Sequence, residues 1–222
     1  MKKVGFMAVL AGLALLLAPI AHADTIYVGL GASPVTQFSG SGAGFVTGSG
    51  SSGIFSWSVN SQGSPLSPEP TLNSNTIDVT TTAATSGTLY LWVSEIGLTS
   101  PTGINNFVSS FTSNSLPASW TVVENTYVDT SNAVYGTGGG ALASQTFTAI
   151  GAASSVNATP SLSSTGYSET EEFIITASAG PTGLTTNDTI NMNVTPEPGT
   201  LAMFGSGLVA LAGLMRRKLV RA

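Results

Sequence analysis

Hydrophobic positions alternate with small polar ones along most of this chain. The stretch "GIFSWSVN", residues 53–60, puts Phe55, Trp57 and Val59 on one side of an extended backbone and Ser56 and Ser58 on the other. In the same way "TIDVTTTA" sets Ile77, Val79, Thr81 and Ala83 against Asp78, and "TINMNV" sets Ile190, Met192 and Val194 against Asn191 and Asn193. Such period-two runs predict half-buried strands, whereas "TLYLWVSEI" is apolar on both sides and predicts a central strand. Further strands are expected in "TIYVGLG", "NNFVSSFT", "SWTVVENTYV", "ALASQTFTAI" and "EEFIITASA", which are rich in β-branched and aromatic residues. Clusters of Gly, Ser, Asn and Pro separate them and mark turns. The glycine-rich stretch 40–53 reads as a loop-rich hairpin carrying Phe45 and Val46, and "SQGSPLSPEPTLNSN" reads as a loop. No segment between residues 24 and 195 sustains a helical period. The pattern therefore predicts an all-β domain over residues 24–195, a β-sandwich or jelly-roll, with its strand order left open.

Both ends break the alternation. Residues 4–20, "VGFMAVLAGLALLLAPI", follow Met-Lys-Lys and precede Ala-His-Ala. A basic start, an apolar run and small residues at Ala21 and Ala23 predict a signal peptide over residues 1–23, cut by signal peptidase. At the other end an apolar run follows Thr200. As a helix over residues 200–215 it would reach only about 22 Å, short of a hydrocarbon core of about 30 Å unless the bilayer thins or the flanks snorkel. Gly205, Gly207 and Gly213 weaken a helix in water, no polar face is marked, and Arg216, Arg217 and Lys218 supply a cytoplasmic stop-transfer charge. A transmembrane segment in the precursor, with the body facing outward, is the expectation.

Charge sharpens the division. All six Lys and Arg of the 222 residues lie in the two ends, the single His22 lies in the leader, and cysteine is absent. The body keeps ten carboxylates, at Asp24, Glu69, Asp78, Glu95, Glu124, Asp129, Glu169, Glu171, Glu172 and Asp188, with no basic side chain among them. Internal salt bridges are excluded, and nucleic acid is excluded as a partner because phosphate needs Lys or Arg. The expected surface is acidic and self-repelling, relieved by mild acid. Serine triads, cysteine nucleophiles, histidine-bound metals and arginine clamps are likewise excluded, which leaves only carboxylate chemistry, such as a glycosidase pair from Glu169, Glu171 and Glu172; without basic or aromatic context no catalytic residues are expected. Glu169 and Glu171 would share a strand face, and with Glu172 they read as a solvated, edge-protecting stretch. Calcium needs only oxygen ligands, for which Asp129 with Asn132, or Asn187 with Asp188, are the candidates.

The order Pro196-Glu197-Pro198-Gly199, then the apolar run, then Arg216-Arg217-Lys218, resembles the PEP-CTERM sorting signal. The resemblance covers the last thirty residues or so and makes residues 196–222 a separate unit. It implies recognition by exosortase, an integral-membrane enzyme of Gram-negative bacteria that usually make exopolysaccharide. On that reading Pro196, Glu197, Pro198 and Gly199 form the processing region, with the helix and the basic cluster as a membrane handle. The prolines hold the segment extended, so its backbone is open to an enzyme at the membrane surface. The chain departs from the pattern in running four residues past Lys218. Similar tails occur on unrelated bodies, including some ice-binding proteins, so the tail leaves the role of the body open. "YVDTS", Tyr127–Ser131, resembles the aspartic-protease loop, but that chemistry needs two facing copies, so Asp129 is expected to cap a turn.

The leading expectation is an exported structural protein of the cell surface or exopolysaccharide matrix. The alternative is a carbohydrate-binding, or less readily ice-binding, surface module using Trp57, Trp92, Trp120 or a threonine-bearing sheet face.

Overall fold

The structure, a computed structural model, describes residues 24–195 except positions 43, 65 and 67–69, together with Ser206. The expected leader lies outside the described residues, as do the Pro-Glu-Pro segment and, apart from Ser206, the expected apolar helix. Among the described residues no helix is long and apolar enough to cross a membrane.

Twelve strands form the body: β1 (Thr25–Leu30), β2 (Val35–Ser41), β3 (Phe45–Ser52), β4 (Phe55–Gln62), β5 (Thr71–Thr81), β6 (Gly87–Leu98), β7 (Asn106–Ser115), β8 (Thr121–Asp129), β9 (Ala143–Phe147), β10 (Gly151–Ala158), β11 (Tyr167–Ala177) and β12 (Thr185–Val194). They build two six-stranded sheets, ordered β2-β1-β6-β11-β8-β9 and β10-β7-β12-β5-β4-β3. Adjacent strands in both sheets run antiparallel. Within them β5 to β12 follow the strand order of a jelly roll, and β1 to β4 lengthen each sheet by two strands.

The inner faces supply the core. Phe55, Trp57 and Val59 of β4 point inward, as do Ile77 and Val79 of β5 and Ile190 and Met192 of β12. Facing them are Ile26 and Val28 of β1, Leu91 and Val93 of β6, and Phe173 and Ile175 of β11. All buried hydrophobic side chains among the described residues fall between Ile26 and Met192. Among the described residues, 24–195 thus hold one core between the two sheets, in the size range of single domains. "TLYLWVSEI" takes the predicted central place, as β6 between β1 and β11.

Three strands differ from the sequence expectation. β3 is a full strand paired with β4 from Phe45↔Gln62 to Ser52↔Phe55, where a loop-rich hairpin was expected. Its glycines serve packing: the Phe38 ring lies on Gly48 and the Trp57 ring on Gly50, positions where a Cβ would collide. β10 carries little β-branched or aromatic signal, whereas β2 holds Val35, Thr36 and Phe38 yet was not expected; each pairs with the hydrogen-bonding edge of a neighbouring strand. The expected loop over residues 61–75 is shorter than predicted, since β4 runs to Gln62 and β5 begins at Thr71. Ala83 falls beyond the end of β5.

Trp120 closes one end of the core, 2 % exposed, with its ring edge-on to Phe55 at 6.3 Å and 85°. Trp120→Ala should cost about 3–5 kcal/mol through lost burial and the cavity left behind. Ser56→Ala, on the half-buried outer side of β4, should stay within about 0.5 kcal/mol. Urea unfolding of the two variants against the parent measures the difference.

Candidate functional site

The inner face of the first sheet is not wholly apolar. β11 points Tyr167, Glu169, Glu171, Phe173, Ile175 and Ala177 to the same side, and all are buried. Antiparallel pairing then sets Glu169 opposite Glu95 of β6, and Phe173 opposite Glu124 of β8. Asp188 of β12 enters from the other sheet. Glu95, Glu124, Glu169, Glu171 and Asp188 are each 0 % exposed, and no Lys, Arg or His occurs in the body to neutralise them.

Hydroxyl groups from the facing sheet meet these acids. Ser74 of β5 donates a short hydrogen bond to Glu171 Oε2 and shares a second bond, 2.8 Å, with Ser61 of β4. The Ser64 backbone N–H donates to Glu95 Oε1 at 2.6 Å. Ser109 of β7 and Thr126 of β8 join hydroxyls across the sheets at 2.8 Å. Thr186 Oγ1 lies 2.8 Å from Asp188 Oδ2 and 2.7 Å from the Ser115 carbonyl. Its single proton serves one acceptor at a time. If it goes to the carbonyl, which accepts only, the Asp188 bond requires a proton on the carboxyl.

Burial favours the neutral acid at Glu124, Glu171 and Asp188. It pushes Glu124 up to about 10, with the charges of Asp188 and Glu171 adding to the effect and the Thr112 backbone offsetting part of it. Neither Glu124 oxygen reaches good hydrogen-bond geometry. Glu171 is held well above the carboxylate range by burial, against the opposing Ser74 bond. Burial likewise raises Asp188 to about 6, with Ser113 and Thr186 opposing. This interior chemistry is that of proton-bearing acids in a hydroxyl-lined layer.

On the outer face of the same sheet, Glu172 accepts from Asn125 Nδ2 at 2.9 Å and from the Tyr127 hydroxyl at 2.7 Å. Tyr127 stacks on Trp92 at 6.2 Å between centroids, and Trp92 Nε1 donates to the Gly31 carbonyl at 2.9 Å. Burial, then Glu172, raises the Tyr127 phenol above its ordinary range, so it stays a donor. The β8–β9 connection folds over this face. Its Tyr135 ring packs against Gly29, its Tyr135 N–H donates to Ser94 Oγ at 3.1 Å, and its Ala133 carbonyl accepts from Ser168 Oγ at 2.8 Å.

These placements revise the sequence reading. Glu169, Glu171 and Glu172 are buried, at 0 %, 0 % and 5 % exposure, and are neither solvated nor at a sheet edge. Eight of the ten body carboxylates are buried, namely Asp24, Glu95, Glu124, Asp129, Glu169, Glu171, Glu172 and Asp188, which overturns the expected self-repelling acidic surface. The overlooked signal was the phase of β11: Glu169 and Glu171 alternate in step with Phe173, Ile175 and Ala177, the apolar side.

Asp129 and Asn132 do share a turn, with Ser131 N–H donating to Asp129 Oδ1 at 2.8 Å and Asn132 N–H to the Asp129 carbonyl at 3.2 Å. Asn132 Oδ1 accepts from the Gly97 N–H at 2.8 Å. Asp188 lies apart from them, in the interior on β12. Among the described residues no three acidic, histidine or cysteine side chains are arranged to hold a metal. Trp57, Trp92 and Trp120 are all buried and present no open ring face. Thr80, Thr81 and Thr82 do not form one face, because Thr81 points inward.

Residues 194–218 match the family of the PEP-CTERM protein-sorting motif. Among solved structures the chain is similar to TmCBM61, solved in complex with beta-1,4-galactotriose, at 10 % identity over 64 % of this chain and 88 % of that chain, with a TM-score of 0.31. No curated protein sequence matches the chain.

The interior acids set a pH dependence with a defined sign. In the unfolded chain Glu124 and Asp188 ionise near 4, whereas in the fold they hold protons to about 10 and about 6. The native state binds more protons across those windows, so stability is greatest near or below pH 4 with respect to these groups. It falls as pH rises, by on the order of 1 kcal/mol per pH unit for each group still protonated only in the fold. The melting temperature should therefore be higher at pH 5 than at pH 8. Glu124→Gln should raise it at pH 8 and change it little at pH 5. A parent protein that melts higher at pH 8 would contradict the assignment.

Proposed function

We propose that this chain is an exported structural protein of the cell surface or extracellular matrix, delivered through its PEP-CTERM motif by an exosortase. The observation that carries the reading is the motif at residues 194–218, which implies export and processing at the membrane. The body adds a physical fit. β12 ends at Val194, and Thr195 is tied back to the Asn106 carbonyl by its N–H at 2.8 Å and its hydroxyl at 3.0 Å. Pro196 follows at once. A cut within Pro196–Gly199 therefore removes no residue of the sandwich and leaves its last strand bonded.

The signal peptide over residues 1–23 and the helix over residues 200–215 complete the proposed precursor, inserted with Arg216, Arg217 and Lys218 on the cytoplasmic side. The body's role is non-enzymatic. Its interior acids bond to core hydroxyls, and its outer carboxylate, Glu172, is held by Asn125 and Tyr127 under a covering connection. A carbohydrate-binding role based on tryptophan stacking draws no support from three buried rings.

Replacing Pro196, Glu197 and Pro198 together by alanine should leave the precursor in the membrane fraction of a host carrying exosortase, while the parent chain leaves that fraction. Fractionation followed by mass measurement of the C-terminus reads both states. Unchanged sorting of the triple variant would remove the motif from the process.

A further inference from the structure

β10 is the outermost strand of the second sheet, and its partner-free side presents the backbone N–H and C=O groups of alternate residues. Its sequence, "GAASSVNA", has no charge and no proline. It pairs with β7 over eight residues, Gly151↔Ser113 to Ala158↔Asn106, without a register shift. Val156 is 59 % exposed and Ile150, just before the strand, 66 % exposed. Soluble proteins usually blunt such an edge with lysine, proline, a bulge or a covering segment. β10 has neither the residues nor the bulge.

The other edges are less open. β9 has five residues. β2 meets β1 with a register shift at Val28/Gly29. β3 matches β10 in length and regularity, but β2 of the facing sheet lies beside it, with its Phe38 ring on Gly48 and edge-on to Trp57 at 5.8 Å. β10 combines length, regularity and exposure.

We propose that β10 pairs antiparallel with β10 of a second copy about a two-fold axis at Ser154, joining two six-stranded sheets into one of twelve. The register is self-complementary. Ser154 meets Ser154, and Ala152 meets Val156 in both halves, small against β-branched, on the outer side of the sheet. No charge has to be desolvated, because β10 and the outward residues beside it on β7, Val108, Ser110 and Thr112, are all uncharged. The partner is a copy of the same chain because one edge then satisfies the other with identical backbone groups. The inference concerns the sandwich alone and does not depend on how the chain is sorted.

The absence of cysteine makes the test clean. Segment 24–195, which holds the core between the two sheets, should sediment as a concentration-dependent dimer. Under mild oxidation Ser154→Cys should trap a disulfide-linked dimer, whereas Ser164→Cys, exposed on a connection outside the strands, should remain monomeric. Ser154→Lys places like charges opposite each other and should weaken association on the order of tenfold with the melting temperature nearly unchanged. A parent segment that stays monomeric at millimolar concentration would overturn the proposal. So would association as strong in Ser154→Lys as in the parent, or equal crosslinking of both cysteine variants, since either result places the contact elsewhere.

Discussion

The architecture depends on burying five carboxyl groups between two sheets; burial holds two of the five, Glu124 and Glu171, in the neutral form. Glu95, Glu124, Glu169, Glu171 and Asp188 stand in an interior that contains no cation. An ionised carboxylate there would face a desolvation penalty of several kcal/mol with no counter-ion to offset it. Protons and hydroxyls take the place of the missing bases. The core therefore has an unusual composition for a sandwich: Ser61, Ser74, Ser109, Ser113, Thr126 and Thr186 are buried among the aromatic and aliphatic side chains. Several of these hydroxyls bridge the two sheets, Ser74 to Glu171 and Ser109 to Thr126. The bridges fix how the sheets are laid on each other in a way that non-directional apolar packing does not.

That layer was only half legible in the sequence. Alternation alone identified β4 and the inward residues of β12, and the two-sided apolar run of β6 identified a central strand. β3 and β10 were obscured because glycine, serine and alanine carry little strand preference by themselves and gain it from a neighbour's edge, whereas β2 was unread despite Val35, Thr36 and Phe38. The interior acids were missed for a different reason. Residue chemistry was weighed above phase: three glutamates within four positions suggest solvent, whereas their period places two of them on the side of Phe173 and Ile175. The sorting motif was legible because its information is linear. An ordered run of Pro-Glu-Pro, apolar residues and basic residues does not depend on a partner strand, whereas the interior cluster exists only once β5, β6, β8, β11 and β12 have assembled.

The position of β12 ties the fold to the tail. It is an inner strand of the second sheet, bonded on one side to β7 and on the other to β5. It also carries Asp188 and Thr186 of the interior layer and is the last strand among the described residues. A chain exported from its N-terminus delivers this strand last, so the second sheet stays divided between β7 and β5 until residues 185–194 arrive. Completion of the sheet, bonding of Thr195 to Asn106 and presentation of the processing region then fall within a few residues of one another.

Absence of lysine and arginine from the body links the interior to the edges. Without those residues the core acids have no salt-bridge partners, which leaves protonation and hydrogen bonds to core hydroxyls and backbone as their means of remaining buried. Without them the edge strands also lack the side chain most often used to prevent strand addition. With eight of the ten body acids buried as well, little charge of either sign remains on the outside to keep copies apart. Such a body has weak grounds for staying monomeric. The same compositional bias that makes its interior sensitive to pH leaves the regular, uncharged edge of β10 receptive to another strand.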